Sequence, residues 1–165
     1  MNKYLFLIAL FGMTYMYVQA QTQQPELNSV LGGYLNVKDA LVKSDSKGAA
    51  AASAVLLQTI TNIDMKAIPA KDHMEFMKLQ DKLEYDARHI SESTDINHQR
   101  EHFTNLSANM ITLAKHARVS LNALYEDYCP MKKTYWLSGD TAIQNPYFGK
   151  TMPDCGKIAG TLNPQ

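Results

Sequence analysis

The chain has 165 residues, of which 16 are basic and 16 acidic, with 45% hydrophobic residues. Such a balance excludes the strongly basic surface that nucleic-acid binding selects and the polybasic patch that holds a protein to a lipid surface. Only two cysteines occur, Cys129 and Cys155, both in the last quarter.

Residues 1–20 read as a secretory signal. Lys3 supplies the positive charge, Tyr4 to Val18 the apolar run, and Val18-Gln19-Ala20 the cleavage site. No cysteine follows that run, so no lipid anchor is indicated. The run is shorter than the ~20 residues a spanning helix needs. Residues 21–165 are therefore expected to form one domain, periplasmic or otherwise exported, with no stable membrane insertion after cleavage.

In that domain a first helix is expected from about residue 26. Leu27, Leu31, Tyr34, Val37 and Leu41 fall at helical spacing, and Gly32-Gly33 marks a kink or a close helix approach. A second helix, about Ser46 to Ile63, follows the cap-type residues Ser44-Asp45-Ser46. After Pro69, a third is expected from Lys71 to Glu92 with Phe76, Leu79, Leu83, Ala87 and Ile90 on one face. Ser93-Thr94-Asp95 reads as a turn and cap. A fourth helix then runs to about Leu121 on Phe103, Leu106, Met110, Leu113 and Ala117. Four amphipathic helices with short connections predict an all-α, up-down four-helix bundle over residues 26–121. Residues 122–165, dense in aromatics, Pro and Gly, predict an irregular C-terminal cap with at most one short hairpin.

The cap carries Cys129-Pro130-Met131 and Met152-Pro153-Asp154-Cys155-Gly156. Two thiols and two thioethers form a soft donor set suited to Cu(I). An even cysteine count in an exported protein equally suits a Cys129–Cys155 disulfide that staples the cap, with the methionines as core filler. Both alternatives require the two cysteines to meet in space.

A second cluster is His98-Gln99-Arg100-Glu101-His102, which matches the H-x-x-E-H pattern of a zinc hydrolase. The spacing puts both imidazoles on one helix face. Such a hydrolase needs a third protein ligand and a substrate cleft, and a simple bundle of this size leaves little room for either, so catalysis is not expected. His98, His102, Asn105, Asn109, Thr112 and His116 read as the solvent stripe of the fourth helix, with His98 and His102 as a secondary metal pair. His73, Met74 and Met77 are a smaller group, with the methionines expected in the core.

The tail motifs Cys129-Pro130-Met131, Trp136-Leu137-Ser138, Ile143 to Gly149, Met152 and Cys155-Gly156 resemble those of domain of unknown function 3347, an uncharacterised family of exported bacterial domains. Tyr34-Leu35, Lys38 to Val42 and Asp45 resemble its opening motif, and Arg100, Phe103, Leu106 and Ser107 a later one. Members occur as free exported proteins, mostly in the Bacteroidetes, and fused to periplasmic adaptor subunits of copper/silver-type efflux pumps. That company implies copper or another soft metal, with Cys129, Met131, Met152 and Cys155 as the sulfur positions and an efflux adaptor as partner. Lys132-Lys133-Thr134-Tyr135 departs from the family pattern, which has smaller residues there. The expected function is thus a non-enzymatic soft-metal accessory protein. Its rival is a metal-free interaction module of the cell envelope with a disulfide-stapled cap.

Overall fold

A computed structural model describes residues 25–164. The signal read at residues 1–20 lies outside the described residues. Five helices occur among them: α1 (Pro25–Val42), α2 (Ser46–Thr61), α3 (Ala70–Met77), α4 (Gln80–Ser91) and α5 (Ile96–His116). Three strands follow, β1 (Leu124–Cys129), β2 (Thr134–Ser138) and β3 (Lys157–Leu162), with a short 3-10 turn at Gly149–Thr151. The strands form one antiparallel sheet in the order β2-β1-β3. The expectation of an all-α four-helix bundle with an irregular cap is therefore corrected: the fold is mixed, and the cap is a sheet.

The helical half follows its apolar spacing. Leu27, Val30, Tyr34, Val37 and Leu41 of α1 are fully buried, as are Phe103, Leu106, Met110 and Leu113 of α5. Asp45 caps α2, its side chain accepting from the Gly48 amide at 2.9 Å. A Cβ on Gly33 would stand 2.9 Å from Leu56 Cδ1, so this glycine lets α1 and α2 approach closely.

Two helix boundaries differ from expectation. The long third helix is broken at Lys78–Leu79 into α3 and α4. No Gly or Pro marks the break. The Leu79 amide folds back onto the Phe76 carbonyl at 2.9 Å, and packing turns α3 toward α5 while α4 lies between α2 and α5. The last helix stops at His116 rather than near Leu121, because Ala117 is already extended (φ −127°, ψ 153°). Met74 and Met77 lie on the surface of α3, not in the core.

The sheet is fixed to the helices by an aromatic chain and two polar clamps. Tyr34 stacks on Phe103 (5.2 Å between centroids), Phe103 meets Tyr147 (5.9 Å), and Tyr147 meets Trp136 edge-on (6.0 Å). The Tyr34 hydroxyl accepts from the Leu137 amide of β2 at 3.0 Å and hydrogen-bonds Ser107 of α5 at 2.9 Å. Arg100 of α5 donates through Nε to the Pro146 carbonyl at 2.9 Å and through Nη2 to Ser44 Oγ at 3.2 Å. Gly149 closes this corner at φ 54°, where a Cβ would run into Ser44 Oγ and the Leu41 carbonyl. Only glycine fits there. Among the described residues no helix is long and apolar enough to cross a membrane.

Candidate metal centre

Cys129 is the last residue of β1 and pairs with Thr134 across a tight turn. The turn closes with the Lys133 amide on the Cys129 carbonyl at 2.8 Å. Lys133 sits at φ 57°, in the left-handed region that favours glycine.

Cys155 arrives from the other side, between the 3-10 turn and β3. The two cysteines are near enough for Cys129 to perturb the Cys155 thiol, and they are not bonded as a disulfide. Cys129 is fully buried and Cys155 half-buried. Desolvation, with the neighbouring Cys129, pushes the Cys155 thiol above its ordinary pKa.

A buried amide holds the pair. Asn145 Nδ2 donates to Cys129 Sγ at 3.2 Å and to the Cys155 carbonyl at 2.5 Å. Its Oδ1 accepts from the Tyr147 and Phe148 amides at 2.8 and 3.2 Å, and its own amide donates to the Pro153 carbonyl at 2.7 Å. The Lys132 amide also points at Cys129 Sγ, at 3.4 Å. Two N–H donors thus converge on one sulfur and fix its position. Sequence reasoning quoted Asn145 as a motif residue but gave it no role.

The methionines are placed differently. Met131 stands on the β1–β2 turn with 65% of its surface exposed. Met152 is half-buried, and its carbonyl accepts from the Cys155 amide at 3.4 Å. The structure thus brings the two cysteines together around Asn145 and leaves Met131 largely in solvent. The thiol pair by itself has the donor chemistry a soft cation requires.

His98 and His102 do not lie on an open solvent stripe. They face α4, where His89 joins them, and the His102 side chain is only 15% exposed. Glu101 is exposed and stands apart from this cluster. Sequence reasoning missed His89, yet the short turn offered a signal. In an antiparallel helix pair, residues equidistant from the turn face each other, and His89 and His98 flank Ser93–Thr94 symmetrically, as Asp86 and His102 nearly do.

A further buried polar group was not foreseen. Asp127 of β1 is fully buried, and neither carboxylate oxygen meets a hydrogen-bond partner. Burial pushes its pKa up to about 7, against the pull of nearby Lys38.

Residues 30–122 match the family described as "Protein of unknown function (DUF3347)". The chain belongs to this family. Nothing among curated proteins or solved structures matches it. The matched segment ends just before β1, so the thiol pair lies beyond it. The family segment nevertheless contains Tyr34, Arg100 and Ser107, the residues that clamp the cap in place.

Proposed function

We propose that this protein is an exported accessory factor that binds a soft metal ion, copper(I) by the chemistry of its donors, through Cys129 and Cys155. The observation that carries the reading is two unbonded cysteines tied to one buried amide, which meets the Cys129 sulfur and the Cys155 carbonyl, with Cys155 within reach of solvent. Thiolate sulfur selects Cu(I) over hard cations. The ion would enter from the Cys155 side, and Asn145 and the Lys132 amide would hold the charge on Cys129. Binding displaces thiol protons, so affinity rises with pH. Buffering the ion, or passing it to an efflux adaptor, is the role that fits the efflux-linked resemblance.

The same arrangement suits a Cys129–Cys155 disulfide, the interaction-module reading. The discriminating experiment is Cu(I) titration of the reduced protein against a competing chelator. Binding of about one equivalent, lost in Cys129→Ser/Cys155→Ser, supports the metal reading. No binding by the reduced wild type leaves the staple. Met131→Leu/Met152→Leu, nearly isosteric, tests in the same assay whether the thioethers join the set.

A further inference from the structure

The α4–α5 hairpin carries a donor cluster that is chemically unlike the thiol pair. Asp86 and His89 stand one turn apart on α4, and His98 and His102 one turn apart on α5. The ring nitrogens of His89, His98 and His102 that could bind an ion lie within 4.8 Å of one another, and all three side chains are half-buried. The His89 and His102 rings are parallel at 4.4 Å, and His98 meets His102 edge-on at 4.7 Å. A zinc-type ion with Zn–N bonds of ~2.0–2.1 Å sets its ligand nitrogens roughly 3.3 Å apart. The side chains would have to close by on the order of an ångström to reach that separation, and the His89 ring would have to turn out of its parallel stack on His102.

Asp86 is what distinguishes this cluster from three histidines that happen to be neighbours. Its buried carboxylate binds His102 Nδ1 at 3.0 Å. That bond fixes the ring orientation and directs Nε2 away from Asp86. A carboxylate behind an imidazole is the usual partner of a metal-bound histidine and raises its basicity. The turn between the helices is itself fixed: buried Gln99 donates to the carbonyls of Ser46 and Ser93 at 2.8 and 2.6 Å. The donors therefore project from a braced helix pair, which favours a defined geometry.

We propose that His89, His98 and His102 form a second metal site that takes a borderline divalent cation of the zinc type, with Asp86 as the positioning residue. Three imidazoles suit Zn²⁺, Ni²⁺ or Cu²⁺, whereas the thiol pair suits Cu(I). The fourth position is left to water. The site is independent of the thiol reading, since neither cysteine takes part.

The test is titration with Co²⁺, whose spectrum reports its ligands. Cys129→Ser/Cys155→Ser should bind about one equivalent with weak visible d–d bands and without sulfur-to-metal charge transfer in the near ultraviolet. His89→Gln/His98→Gln, made in the wild-type background so that a folding defect of the serine variant cannot mask the result, should weaken the nitrogen-ligated binding at least tenfold. Asp86→Asn should weaken it about tenfold while preserving the same bands, since outer-shell partners contribute roughly 10- to 100-fold. Undiminished nitrogen-ligated Co²⁺ binding by the histidine double variant would overturn the proposal, as would absence of such binding in the wild type. Neither outcome bears on Cu(I) binding by the cysteines.

Discussion

The helical half and the C-terminal sheet organise their donors in opposite ways. In the helices, the histidines come from two neighbouring elements joined by a short turn, and helix packing aligns them, with Asp86 fixing the His102 ring. In the cap, the cysteines come from segments far apart in the chain, and a single buried side chain, Asn145, ties both to one point. One cluster is a consequence of helix packing and stays half-exposed. The other needs a closed sheet and a hydrogen-bonded core, and it buries one of its two donors completely. The difference predicts that the cap site is the more fragile of the two.

The largest effect should come from the clamp. Asn145→Ala removes the donors to Cys129 Sγ and the Cys155 carbonyl and leaves the amides of Tyr147 and Phe148 without their acceptor. A loss of about 2–4 kcal/mol is expected in urea unfolding, since buried polar groups left unpaired cost ~1–3 kcal/mol each. Cu(I) affinity should fall with it, while Co²⁺ binding at the histidines persists in whatever fraction stays folded. Equal loss at both sites would break the comparison.

Next in size is Asp127. Its folded pKa of about 7 lies above the ordinary carboxylate value, so the folded state holds a proton that the unfolded state has already lost between roughly pH 4 and 7. Stability therefore falls as pH rises through that window and levels off above it. Asp127→Asn should remove this slope and stabilise the protein by about 1–3 kcal/mol at pH 8, measured by denaturant unfolding at several pH values. An unchanged slope would show that Asp127 is solvated.

How much of this was legible in the sequence differs between the halves for the same physical reason. Helical spacing survives wherever one face is buried, so Phe103, Leu106, Met110 and Leu113 announced α5 correctly. The break before α4 was hidden because Leu79, at the break, continues the apolar spacing of Phe76 and Leu83. The sheet was hidden because its alternation is interrupted. A bulge between Glu126 and Asp127 shifts the register of β1 against β3, and β3 itself is largely exposed. Asp127, a buried acid in a strand, further disguised β1. The cysteines stood out by chemistry alone, whereas Asn145 gains meaning only once distant segments meet, and His89 only once α4 and α5 are read as an antiparallel pair.

The smallest effects sharpen the reading of the helical half. Gly32 and Gly33 are adjacent in α1, yet a Cβ on Gly32 meets nothing within 4 Å whereas one on Gly33 meets Leu56. Gly32→Ala should stabilise by about 0.5–1 kcal/mol through helix propensity. Gly33→Ala should destabilise by roughly 1–2 kcal/mol through overpacking. Thermal unfolding of the two variants checks this directly, and shifts of the same sign would mean that α1 and α2 are not in close contact at Gly33.

The central claim is that copper is held by sulfur in the cap and not by nitrogen in the helices. X-ray absorption at the copper edge of the reduced, Cu(I)-loaded full chain tests it most directly. The account predicts an inner shell of sulfur scatterers with no imidazole pattern, abolished by Cys129→Ser/Cys155→Ser and untouched by His89→Gln/His98→Gln. An inner shell dominated by imidazole nitrogen, surviving the cysteine substitutions, would contradict it.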